Sequence, residues 1–81
     1  MQIHLSKKAE KFLLKSDAKT KMRISIALNG LKHKPPLGNI KPYKSVPTFY
    51  RLKIGNYRAI FCIEDDIIKV TDIDSRGQIY K

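Results

Sequence analysis

Three cations stand in one short alternating stretch, Tyr50-Arg51-Leu52-Lys53-Ile54-Gly55-Asn56-Tyr57-Arg58-Ala59-Ile60-Phe61. Their shared chemistry is the binding of an anion. Arg grips a phosphate through two parallel N–H bonds, and Lys supplies a compact point charge. Gly55-Asn56 reads as a two-residue hairpin turn. That turn sets Ile54 opposite Tyr57, Lys53 opposite Arg58 and Leu52 opposite Ala59. Successive strand residues point to opposite faces. Tyr50, Leu52, Ile54, Tyr57, Ala59, Phe61 and Ile63 therefore share the core side, and Arg51, Lys53 and Arg58 share the other. Like charges directly opposite one another destabilise a sheet. Two readings stand: a seat for an anion, or a solvated face in which the cations splay into water. The cross-strand placement of Lys53 and Arg58 favours the first.

Other candidates gather around this hairpin. A second tight turn at Asp65-Asp66 would pair Ile63 with Ile68, Phe61 with Val70 and Arg58 with Ile73. The chain would then leave its third strand near Arg58 and bring Arg76 to the basic face. Tyr80 follows four residues later. A phenol among cations can stack on a base or share in proton transfer; read singly, Tyr80 is an edge-packing residue. The loop before the hairpin carries Lys41, Tyr43 and Lys44. Cys62 is the single cysteine. It allows no intrachain disulfide, suits a reducing cytosol, and is expected buried beside Ile60, Phe61 and Ile63. His4 and His33 have no cysteine or carboxylate pattern completing a metal site and read as surface residues.

The elements that position these residues follow from periodicity and caps. Gln2–Leu5 alternates as a short strand. Ser6 is placed to cap a helix over Lys7–Lys15, with Ala9, Phe12 and Leu13 on one face. Ser16-Asp17 starts a second helix whose stripe is Ile24, Ala27, Leu28 and Leu31. Gly30 weakens its end, and Pro35-Pro36 closes it. Residues 37–47 read as a loop. Strands are predicted over 48–54, 57–63 and 67–73. Ser75-Arg76-Gly77 breaks the last, and 78–80 adds a short edge segment. The expected fold is α+β: an N-terminal strand and a two-helix hairpin packed on an antiparallel β-sheet meander, in a single domain over residues 1–81.

Charge narrows the partners. The 81 residues carry a net charge of +10. Residues 1–44 hold 11 Lys/Arg against Glu10 and Asp17, whereas residues 45–81 hold 6 basic against 5 acidic residues. Such an excess attracts polyanions and makes the first half the expected landing surface, with a solvated helical face as the plainer alternative. An apolar share of 42% argues against a disordered tail. A core this small is marginal, so a bound partner would matter to its persistence. The opening MQIHLSKK has no apolar signal region, and no apolar run is long enough to span a bilayer.

The segment from Tyr50 to Phe61 resembles the "YRLRIGDYRVIY" core of the RelE/ParE toxin superfamily. The stretch Asp74-Ser75-Arg76-Gly77-Gln78-Ile79-Tyr80 resembles that superfamily's closing "GHRREVYR". The resemblance implies a cytoplasmic toxin of a type II toxin–antitoxin system, partnered by a RelB-like antitoxin. For RelE-type members it implies an endoribonuclease that cuts mRNA in the ribosomal A site without metal or other cofactor. Arg51 and Lys53 match the basic pair before the turn, Arg58 the motif arginine, and Arg76 and Tyr80 the arginine and tyrosine of the tail. The implied reaction is transesterification, in which the RNA 2′-OH attacks the adjacent phosphate and leaves a 2′,3′-cyclic phosphate. Arg58 and Arg76 would stabilise the phosphorane. Lys53 or Arg51 would assist removal of the 2′-OH proton, and Tyr80 would position the nucleotide. Lys41, Lys44 and Arg51 are the expected RNA-binding residues. Many family tails carry a histidine where this chain has Ser75. Three alternatives stay open: a ParE-like gyrase inhibitor without nuclease activity, a plain RNA- or ribosome-binding module, and a decayed member that only binds its antitoxin.

Overall fold

A computed structural model describes residues 2–44 and 46–75. Seven elements follow in chain order: β1 Gln2–Leu5, α1 Lys7–Lys15, α2 Ala18–Gly30, β2 Asn39–Pro42, β3 Tyr50–Ile54, β4 Tyr57–Glu64 and β5 Ile67–Ser75. The five strands form one sheet in the order β1-β5-β4-β3-β2. β1 pairs in parallel with β5, and every other neighbour is antiparallel, so the sheet is mixed.

Local chemistry sets the helix starts. The Ser6 hydroxyl oxygen accepts from the Ala9 N–H at 3.1 Å and donates to the Thr71 carbonyl at 2.7 Å. One side chain thus caps α1 and ties it to β5. The Asp17 carboxylate accepts from the Thr20 N–H at 2.8 Å, which caps α2; the Thr20 side chain and then its N–H hold the carboxyl below its ordinary range. Ile24 and Leu28 are buried along α2 and Leu31 at its C-cap, with Ala27 partly buried beside them, as the helical stripe requires. α1 packs on β5 and β1, and α2 on β3. Between helices and sheet lies a core of Ala9, Ile24, Leu28, Leu31, Leu52, Ile54, Ala59, Phe61, Ile68, Val70 and Ile73.

The turns are chemically distinct. Gly55 takes a φ of +58° at the first position of the β3–β4 turn, where a side chain would be strained. Asp65 and Asp66 both take positive φ, 53° and 64°, which joins β4 to β5 in the sense that matches strand twist.

Four details differ from the sequence expectation. Residues 39–42, read as loop, form the edge strand β2, which pairs Asn39 with Lys53, Ile40 with Leu52 and Lys41 with Arg51. Four residues are too few to display a period, and Pro42 is tolerated at the end of an edge strand. β3 begins at Tyr50 rather than at residue 48, because Thr48 adopts a φ of +72°. β5 continues to Ser75. Its register also shifts: Phe61 pairs with Val70 but Ile60 pairs with Asp72. Thr71 is the extra residue of a β-bulge, so Arg58 faces Asp74 and Ala59 faces Ile73. The bulge keeps Ile68, Val70 and Ile73 all on the core side, although 70 and 73 are three apart. The expected segment 78–80 lies outside the described residues.

Candidate functional site

The hairpin register is the expected one: Ile54 with Tyr57, Lys53 with Arg58, Leu52 with Ala59. The face away from the helices therefore carries two cross-strand rows. One runs Lys41, Arg51, Ile60, Asp72 and the other Asn39, Lys53, Arg58, Asp74. Asn39, Lys41, Arg51, Lys53 and Arg58 line a single cavity of about 220 Å³. Arg58 is 5% exposed, the one buried charged residue among those described, while Arg51 is half-buried and Lys41 and Lys53 are exposed. The Arg58 guanidinium is thus the buried member of a cavity whose three other cations reach solvent to differing degrees.

The carboxylates of β4 and β5 have partners of their own. Asp72 takes Lys8 of α1 at 3.3 Å, and Glu64 takes Lys69 at 2.7 Å, which lowers the Glu64 carboxyl and raises the Lys69 ammonium from their ordinary values. Asp74 stands across from Arg58 and accepts from the Ser75 N–H at 2.8 Å. Among the described residues no group of three or more His, Cys, Asp or Glu side chains could hold a metal ion. His4 and His33 are exposed, and Cys62 is buried, as expected.

The structure thus brings Lys41, Arg51, Lys53 and Arg58 together. Lys44 does not join that cavity. It lines a neighbouring one of about 330 Å³ with Lys41, Pro42, Tyr43 and Arg51. Arg76 and Tyr80 lie outside the described residues. Asn39 and Asp74 are members of the basic rows that sequence reasoning missed. Asn39 depended on recognising β2, for which four residues held no signal. Asp74 had one: the break in period between Val70 and Ile73 marks the bulge.

Two helices on one face of a mixed sheet, with cations gathered around the buried Arg58 on the other, define a small basic α+β protein. A sequence profile of the ParE toxin of the type II toxin–antitoxin system, parDE, matches residues 3–80. The chain belongs to this family, and it is a toxin of a type II toxin–antitoxin system. No curated protein matches it. Its fold is similar to those of several solved structures. One is the RelB–RelE antitoxin–toxin complex from Methanococcus jannaschii, at 23% identity over 94% of this chain and 93% of that one, with a TM-score of 0.75. Another is the archaeal RelE–RelB complex from Pyrococcus horikoshii, at 20% identity over 95% and 96%, with a TM-score of 0.78. A third is the YoeB–YefM complex from Staphylococcus aureus, at 19% identity over 89% and 92%, with a TM-score of 0.74. No helix among the described residues is long and apolar enough to cross a membrane.

Proposed function

We propose that the chain is a RelE-type endoribonuclease that cleaves mRNA in the ribosomal A site. The observation that supports this reading is Arg58, 5% exposed and sharing a cavity with Asn39, Lys41, Arg51 and Lys53. A preorganised guanidinium in a poorly hydrated site stabilises charge that develops on a phosphate as it becomes a phosphorane. Arg51 would share that load. Lys53, exposed at the cavity rim, is the group set to take part in moving the 2′-OH proton. Arg76 and Tyr80 complete the proposed set, one as a second charge stabiliser and the other against the nucleotide. The ribosome would align the 2′-OH with the scissile phosphate, so a site without a strong general base can suffice. On this reading the whole chain works as one domain in the cytoplasm. A RelB-like antitoxin would silence it by laying acidic groups over the basic face, and salt would weaken that complex by screening its exposed charge pairs.

A second reading is a gyrase inhibitor without nuclease chemistry, favoured by the ParE profile that the chain matches. The experiment that separates the two adds purified protein to 70S ribosomes programmed with mRNA and maps cuts by primer extension. A cut within the A-site codon, with a cyclic phosphate on the upstream product, is the expected result. Intact mRNA together with trapped DNA–gyrase breaks in arrested cells would overturn it in favour of the second reading.

A further inference from the structure

The cationic face continues past Lys41. The Tyr43 N–H donates to the Phe49 carbonyl at 2.9 Å, which carries the β2–β3 pairing one step beyond Pro42 and Tyr50. Alternation then returns Tyr43 to the side that bears Asn39 and Lys41. Two further backbone bonds, Val46 N–H to the Tyr43 carbonyl and Phe49 N–H to the Val46 carbonyl, both 3.3 Å, tie the loop behind it. The half-buried Tyr43 is therefore held from the backbone. The cavity it lines with Pro42 and Lys44 shares Lys41 and Arg51 with the cavity that holds Arg58. One cation pair thus forms the wall between two compartments. The first is ringed by cations and amide, whereas the second offers a proline and a phenol ring with cations around them.

We propose that Tyr43 is a base-stacking platform for single-stranded RNA. The base beside the phosphate at Arg58 stacks on its ring, and Lys44 and Lys41 hold the flanking phosphate. This deepens the endoribonuclease reading and rests on it. Interleaved cations and aromatic rings are what a single strand requires, since every base has a π-face and every linkage a charge. Alternate strand residues lie about 6.7 Å apart, a separation on the scale of successive nucleotides in an extended strand. An acidic peptide would engage the same lysines but has no comparable use for an aromatic wall between them.

The test is single-turnover cleavage on 70S ribosomes carrying mRNAs that differ only at the A-site codon. Tyr43→Phe keeps the ring and is expected to cut at the wild-type rate. Tyr43→Ala is expected to slow cleavage about 5- to 150-fold and to reorder the preference among codon bases, with the melting temperature unchanged. Tyr43→Leu, which keeps apolar bulk without the π-face, repeats the test if the alanine variant does not fold. Wild-type rate and preference in Tyr43→Ala would overturn the stacking role and leave the nuclease standing. Uniform slowing with a lowered melting temperature that Phe does not rescue would reduce Tyr43 to a structural residue and overturn it too. Absence of cleavage by the wild-type protein would remove the nuclease reading and this proposal with it.

Discussion

Lys53 and Arg58 are direct partners across the β3–β4 hairpin, yet one is exposed and the other is 5% exposed. Two like charges are placed opposite each other on the hairpin that also supplies Leu52, Ile54, Ala59 and Phe61 to the core. Their different depths let substitutions at the two positions be told apart by stability as well as by activity.

Lys53→Ala removes the exposed member of a repulsive pair and no core contact. Like-charge cross-strand pairs cost roughly 0.2–1 kcal/mol, so the melting temperature should hold or rise slightly. Growth arrest on induction should weaken. Thermal denaturation and plating after induction check both, and a marked loss of folded protein would contradict the assignment.

Arg58→Ala should behave differently, because it empties a buried position opposite Asp74. The melting temperature is expected to fall, and cleavage on programmed ribosomes to fall about 10²–10³-fold, by analogy with the loss of one oxyanion donor. Arg58→Lys should recover stability better than rate, since lysine restores charge but not the two-point grip. Rates corrected for folded fraction make the distinction.

Gly38→Ala tests whether β2 is needed for the site. Gly38 has a φ of +127°, and a Cβ there would come within 2.7 Å of Leu52 Cδ1. Leu52 is a core residue with 1% exposure, so it has little room to yield. Strain of about 1–3 kcal/mol is expected, with Asn39 and Lys41 displaced from the cavity. Calorimetry should show the lower melting temperature, and RNA affinity should weaken even where the protein remains folded.

Asp17→Ala should lower the melting temperature by a few degrees at neutral pH through loss of the α2 cap. The hydrogen bond to Thr20 holds the folded carboxyl below its ordinary value of 3.8. Its contribution is therefore present above that value and is lost as pH falls through the depressed folded value. The gap between wild type and variant should be constant from neutral pH to about pH 5 and should shrink at more acidic pH. Thermal melts across that range check it, and a gap that persists undiminished in acid would contradict the capping role.

Much of the architecture was legible in the residues. Ser6 and Asp17 announced both helices, the stripe from Ile24 to Leu31 announced the packed face, and Gly55-Asn56 announced a hairpin with its register. Each is a local signal: a cap needs a side chain three residues from an amide, and a two-residue turn determines every pair along its strands. That register alone put Arg51, Lys53 and Arg58 on one face. Other features depend on residues distant in the chain. β1 finds β5 across about 65 residues. Asn39–Pro42 becomes a strand only because β3 offers an unpaired edge. The depth of Arg58 follows from its place on β4, between β3 and β5, which neither spacing nor composition reports. The Thr71 bulge sits between the two: its trace is the three-residue step from Val70 to Ile73, but only the pairing of Ile60 with Asp72 makes it a bulge and sets Asp74 opposite Arg58. Charge and periodicity act over a few residues and were readable; burial and edge pairing are properties of the assembled sheet, and the tertiary structure decided them.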